Sequence, residues 1–231
     1  MENYDMSIKA CDLKAGILFD LDGTLWDSSG CVLPVWNRVL SRHPELNRQI
    51  TAAELASAMG LTLEEISRML LPDQCPEIQA SVMQEICAEE VEYLRSHGAI
   101  LYPGVPETLH ALMEHYSLFL VSNCQDGYAE AFFSYHGLGG CFSDYETSGR
   151  TGLAKADNIR LILQRSQIGR AVYVGDTLGD EQSAADAGIP FIHCAYGFGK
   201  ALHPNGIIHC FSKLPEAVQT VFSCQQSRHN S

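Results

Sequence analysis

The segment Gly16-Ile17-Leu18-Phe19-Asp20-Leu21-Asp22-Gly23-Thr24-Leu25 is an apolar run that delivers two carboxylates to a glycine turn. A run of this kind suits a buried strand, and residues two apart on a strand share a face. Asp20 and Asp22 are therefore expected to emerge together where the strand stops burying hydrophobic groups. Like charges held that close raise each other's pKa unless a cation or a proton offsets them, and a divalent metal is the simplest remedy. The alternative is an ordinary buried strand whose turn happens to use aspartate.

Further segments bear on that choice. Ser117 to Val121 is a second strand-like run, ending in the hydroxyl and amide of Ser122-Asn123. Ala171 to Val174 is a third, running into Gly175-Asp176-Thr177-Leu178-Gly179-Asp180 and so supplying a second acidic pair. Between them Lys155 opens a helical pattern after the polar stretch Ser148-Gly149-Arg150-Thr151-Gly152. Open α/β sheets bind ligands outside the carboxyl ends of their strands, so these pieces point at one crevice. Each also has a plainer reading: Ser122-Asn123 as a strand terminator, Lys155 as a solvated lysine, Asp176 and Asp180 as acids favoured at a helix start.

Taken together, in this order and over Asp20 to Asp180, the motifs resemble those of the haloacid dehalogenase superfamily, in its phosphatase branch with a helical cap. Asp20 to Ser28 is similar to phosphoglycolate phosphatases in particular, as is Tyr196-Gly197-Phe198-Gly199. The resemblance implies an α/β fold, a doubly wound parallel sheet of Rossmann-like type with an inserted all-helical cap. It implies a Mg²⁺-dependent phosphatase acting on a small phosphate monoester of phosphoglycolate or sugar-phosphate type through an aspartyl-phosphate. A phosphomutase of the β-phosphoglucomutase type is the alternative.

Phosphoryl transfer needs an in-line nucleophile, a proton donor for the departing oxygen and positive charge around the equatorial oxygens. Asp20 is the expected nucleophile, and Asp22 the general acid and then base. Ser122 and Lys155 would hold phosphoryl oxygens, and Gly23, Thr24 and Asn123 join them as expected substrate-binding residues. Asp20, Asp22 (through its carbonyl, as the family implies), Asp176 and Asp180 are the expected metal ligands, a donor set that suits Mg²⁺ better than Ca²⁺. Ala156 stands where the family often has proline, and Ser122 where it frequently has threonine.

From Val32 to Leu94 the pattern is helical. Val35, Trp36, Val39 and Leu40 share a face, Ile78, Val82 and Ile86 recur at four, and Thr51-x-x-Glu54 and Thr62-x-x-Glu65 have the form of capping boxes. Residues 28–97 are accordingly assigned to the cap, and 1–27 with 98–231 to the core. After Tyr102-Pro103-Gly104, strand and helix alternate: stripes at Leu109, Leu112 and Met113, at Ala129, Phe132 and Phe133, and at Ile159 and Ile162. A helix from about Asp180 to Gly188, strands over Ile189–Cys194 and Gly206–His209, and a helix through Leu214, Val218 and Val221 follow.

A net charge of −13 argues against nucleic acid as a partner. Without a membrane-length apolar run, and with Met1-Glu2-Asn3-Tyr4-Asp5 unlike a signal peptide, a cytoplasmic protein with no membrane partner is expected. Nine scattered cysteines suit reduced thiols, the histidines show no ligand spacing and are expected at the surface or hydrogen-bonded, and Ser223 to Ser231 is expected to fray. A monomer or homodimer acting on a small phosphorylated metabolite completes the expectation. Two competing classes, a receiver-like signalling domain and a non-catalytic scaffold, share the fold; the first is disfavoured by the large helical insert, the second by the full set of reactive groups.

Overall fold

A computed structural model describes residues 14–229. In chain order the elements are β1 (Lys14–Phe19), β2 (Trp26–Asp27), α1 (Ser29–Leu40), α2 (Ala52–Ala58), α3 (Leu63–Leu70), α4 (Pro76–His97), β3 (Ile100–Leu101), α5 (Val105–Met113), β4 (Ser117–Ser122), α6 (Tyr128–His136), β5 (Asp144–Thr147), α7 (Ser148–Thr151), α8 (Lys155–Arg165), β6 (Ile168–Gly175), α9 (Leu178–Ala187), β7 (Phe191–Cys194), β8 (Gly206–Ile208) and α10 (Leu214–His229). The Met1–Asp5 segment lies outside the described residues.

Six strands form one parallel sheet in the order β5-β4-β1-β6-β7-β8. The strands are apolar on both faces because each face is covered. Along β1, Ile17 and Phe19 join one core while Leu18 joins the other. β4 repeats the alternation with Leu118 and Leu120 against Phe119 and Val121, and β6 with Val172 and Val174 against Ala171 and Tyr173. Leu109 of α5, Phe132 of α6 and Val218 of α10 fill the first side; Ile159 and Ile162 of α8 and Ala184 of α9 fill the second. This is the doubly wound arrangement expected of alternating strands and helices.

The helices between β2 and β3 form the cap. α1 packs against α4, burying Val35, Trp36 and Val39 against Val82 and Ile86. Both predicted capping boxes are present, at Thr51/Glu54 and Thr62/Glu65, so α2 and α3 begin where the hydroxyl and carboxylate satisfy free amides. The chain leaves the core through β2 and returns through β3; the two pair antiparallel, Trp26 opposite Leu101. Trp26 is fully buried and meets the rings of Tyr128 and Phe132 edge-on, anchoring this neck to α6.

Several local expectations shift. The strand stops at Phe19, so Asp20 and Asp22 follow it rather than end it. α9 begins at Leu178, because Asp180 serves as the third residue of a Thr177 capping box, and it closes on the left-handed Gly188. Ile78 and Met113, assigned to helix stripes, are exposed at helix margins. His193 is buried with an unpartnered Nδ1, and burial pushes it below its ordinary pKa, where the sequence predicts a surface or hydrogen-bonded histidine. α10 runs past Ser223, where the sequence predicts fraying, to His229, beyond the buried Val221 and Phe222; residues 230–231 lie outside the described residues. No two cysteines are bonded among the described residues, and none of the described helices is long and apolar enough to cross a membrane.

Candidate active site

β1 is the point from which the chain winds to β4 on one side and β6 on the other, so the crevice beyond its carboxyl end is where a ligand belongs. The Asp20 amide donates to the Val174 carbonyl at 2.9 Å, extending the β1–β6 ladder one step and fixing the buried carboxylate beside β6. Lys155, the first residue of α8, reaches across from the neighbouring layer. Its ammonium donates to Asp20 Oδ1 at 3.0 Å and Asp180 Oδ1 at 2.6 Å. Burial alone would lower its pKa, but the Asp180 and Asp20 carboxylates outweigh burial and hold it above the ordinary lysine range.

Asp180 does two things at once. Its Oδ2 accepts the Asp176 and Thr177 amides at 3.1 and 3.0 Å and the Thr177 hydroxyl at 2.8 Å, starting α9, while Oδ1 aims Lys155. Asp176 Oδ2 accepts from the amides of Phe198, at 2.7 Å, and Gly199, at 3.3 Å, and its buried Oδ1 has no partner. The chain around Asp176 leaves no room for side chains. Gly23 has φ +76°, and a Cβ there would lie 2.2 Å from Asp176 Oδ2; a Cβ on Gly197 would lie 2.4 Å from the Gly23 carbonyl oxygen.

Three buried carboxylates therefore share one ammonium. Burial pushes Asp20 up to about 7 against the pull of Lys155, with Asp180 adding to the rise. Burial, then Asp180 and Asp20, push Asp176 up to about 8. Asp20, Asp176 and Asp180 each offer an oxygen within 4.8 Å of the others. This excess of negative charge, with an open Asp176 oxygen, fits a divalent cation.

Asp22 faces the same cleft. Its Oδ1 accepts Ser28 Oγ at 2.5 Å and Tyr128 OH at 2.9 Å; burial pushes it up to about 6 against these bonds. Ser122, buried at the end of β4, lines the cleft beside Asp20. Asn123 lines it too, but its side chain donates to the Gly60 carbonyl of the cap at 3.0 Å and accepts Ser148 Oγ at 3.1 Å, leaving its backbone for a ligand. Gly23 and Thr24 form the turn beneath Asp22 rather than the cleft wall, with the Thr24 carbonyl accepting Tyr196 OH at 2.8 Å.

The cleft between core and cap is open to solvent at its mouth and encloses a cavity of about 60 Å³. The cap supplies Val32, Trp36, Met59, Leu61, Ile66 and a buried acid, Glu90. Glu90 Oε1 accepts Trp36 Nε1 at 3.0 Å, and Oε2 accepts the amide of Gln125, from the loop after β4. Sequence reasoning missed Glu90, Gln125 and Tyr128. One signal was available for Glu90: the four-residue repeat Val82, Ile86 continues through it to Leu94, placing a carboxylate on a buried stripe.

The model of the family described as haloacid dehalogenase-like hydrolase matches residues 17–194. Among curated proteins the chain is 28% identical to a phosphoglycolate phosphatase of Rhodobacter capsulatus, over 90% of this chain and 98% of that one. It is 27% identical to an N-acetylmuramic acid 6-phosphate phosphatase of Pseudomonas aeruginosa, over 86% of this chain and 87% of the relative. A solved haloacid dehalogenase-like hydrolase of Streptococcus pneumoniae superposes with a TM-score of 0.74 at 23% identity, covering 91% of this chain and 98% of that one. With its fold and more than half of its length so matched, the chain belongs to the haloacid dehalogenase-like hydrolase family.

Proposed function

We propose that this hydrolase is a Mg²⁺-dependent phosphatase that cleaves a small phosphate monoester through an aspartyl-phosphate. The observation that carries the reading is the Lys155 ammonium held between Asp20 and Asp180, beside the open oxygen of Asp176 and beneath a cap. The relatives' names, a phosphoglycolate phosphatase and an N-acetylmuramic acid 6-phosphate phosphatase, support a small phosphate monoester as the substrate without fixing its organic part.

In this reading Asp20 attacks phosphorus as the ester bond breaks, and Asp22 protonates the departing oxygen. Asp22, with a pKa near 6, then accepts a proton from the water that frees phosphate and regenerates Asp20. Lys155 and the Ser122 hydroxyl hold phosphoryl oxygens, while the Asn123 backbone and the Gly23–Thr24 turn shape that end of the site. Asp20, Asp176, the Asp22 carbonyl and Asp180, the last directly or through water, would hold Mg²⁺. Bound there, the ion neutralises charge on the phosphoryl group. Residues 28–97 act as the cap, excluding water during transfer, with 1–27 and 98–231 as the core. Free thiols at all eight described cysteines suit a cytoplasmic enzyme, working as monomer or homodimer.

Purified protein should release phosphate from an aryl phosphate only with Mg²⁺ present, and should yield free phosphate rather than an isomer from a hexose phosphate. Full turnover in chelator would overturn the reading, and an isomerised product would replace it with a mutase.

Stability should carry the same signature. Asp20 and Asp176 hold protons up to about 7 and 8, against about 4 in the unfolded chain, so the folded metal-free protein loses stability as pH rises through that range. A cation that offsets their charge acts most where both are ionised. At a hundredfold excess over its Kd, Mg²⁺ should raise Tm by roughly 5–10 °C at pH 8 and by much less at pH 5, read by differential scanning fluorimetry.

A further inference from the structure

Resting on the phosphatase reading, we propose that the cleft selects phosphate esters whose organic part is uncharged and presents apolar surface, and rejects esters that carry a second anionic group, phosphoglycolate included. The walls argue this first. Beyond Asp20 and Asp22, the space for a leaving group is bounded on the cap side by Val32, Trp36, Met59, Leu61 and Ile66, with Glu90 as its carboxyl group. Among the described residues that line the cleft there is no lysine, arginine or histidine. Lys155 is committed to Asp20 and Asp180, and Arg68 on α3 is exposed and paired with Glu64 at 3.4 Å.

Backbone amides do not replace the missing cation. Two cap helices start at the cleft: at α1 the Asp27 carboxylate already accepts the Ser29 amide at 2.9 Å, and the start of α3 is closed by the Thr62/Glu65 capping box, with Glu64 and Glu65 both in its first turn. A substrate carboxylate directed there would meet two acids in place of free N–H groups.

Glu90 reports the field inside the cleft. It accepts hydrogen bonds from Trp36 and Gln125, yet burial pushes it up to about 8, with the Asp22 charge adding to the rise. A site that resists ionisation of its own hydrogen-bonded carboxyl resists a second carboxylate brought by a ligand. A neutral hydroxyl has no such cost. Glu90 oxygens retain lone pairs beyond the two bonds they accept, and a substrate hydroxyl can donate to them.

The test is kcat/KM on matched pairs that differ only in carboxylate against hydroxymethyl. These are phosphoglycolate with 2-hydroxyethyl phosphate, and 4-carboxyphenyl phosphate with 4-(hydroxymethyl)phenyl phosphate. The neutral partner should be favoured by about tenfold or more in each pair, the scale of one unfavourable charge in a partly desolvated site. Met59→Arg, which places a cation on the half-buried cap loop, should raise the acid-to-neutral ratio by roughly fivefold or more, whatever happens to absolute rates. Equal or better turnover of the acids, or a ratio unmoved by Met59→Arg, overturns the selectivity while leaving the phosphatase intact. Absence of Mg²⁺-dependent turnover on all four esters overturns the parent reading instead.

Discussion

Asp20→Asn should abolish phosphate release, with kcat falling by about 10⁴-fold or more, while the folded protein remains as stable as the parent or becomes more so. The amide occupies the same volume and its oxygen can still accept from Lys155, so the site keeps its shape. What it loses is the charged oxygen that attacks phosphorus, and removal of a nucleophile commonly costs several powers of ten. The stability half of the prediction comes from the charge balance. Three buried carboxylates face one ammonium, and Asp20 is already pushed up to about 7 by burial. Making it neutral relieves repulsion with Asp180 and Asp22. Steady-state hydrolysis of an aryl phosphate and thermal unfolding without metal, read on the same preparation, separate lost chemistry from lost fold. Activity within tenfold of the parent would remove Asp20 from the mechanism.

A second consequence is visible in the same measurement. If the excess of negative charge draws the cation into the site, the variant should show a smaller Mg²⁺-induced rise in Tm at pH 8 than the parent, since one of the charges that burial penalises is gone.

Much of this arrangement is legible in the sequence because it is built from local rules. The unbroken apolar runs of β1 and β4 mark strands buried on both faces, and the Thr-x-x-Glu spacing marks the starts of α2 and α3. Asp20, Asp22, Ser122, Lys155, Asp176 and Asp180 all end or follow strands or lie in the first turn of helices, positions that turn chemistry makes conspicuous. The missing parts are those fixed by pairing distant segments. Tyr128 reaches Asp22 from a residue 106 positions away, and Gln125 meets Glu90 across 35. Nothing in the α6 pattern distinguishes Tyr128 from the aromatics that simply fill the core around it. The neck escaped notice for a different reason: β2 and β3 are two residues each, too short to leave a period. Asp180 shows how one residue can carry two readings. As a helix-start acid it is ordinary, and as the partner of Lys155 it organises the site; the capping box and the ion pair use different oxygens of one carboxylate, so both hold.

Lys155→Met should be the most damaging single change to both fold and activity. Methionine matches the lysine stem in length and apolar character, so packing changes little, but the charge that offsets Asp20 and Asp180 disappears from a site that is almost wholly buried. Removing one partner of a buried ion pair costs about 3–5 kcal/mol, because the remaining charges are left unsolvated. For a chain of this size that is a fall in Tm on the order of 10 °C. The cost must depend on pH in a stated direction. Without Lys155, Asp20, already pushed up by burial, relieves the strain by taking up a proton, which is easy near pH 5 and costly near pH 8, so the deficit against the parent should widen as pH rises. Asp180→Asn in the Lys155→Met background should recover part of the lost stability, since it neutralises one of the two stranded carboxylates, but should not recover hydrolysis, which still lacks the cation facing the phosphoryl oxygens. A Lys155→Met protein as stable as the parent at pH 8 would mean that the ammonium does not offset buried charge there, and the charge balance on which the nucleophile depends would have to be redrawn.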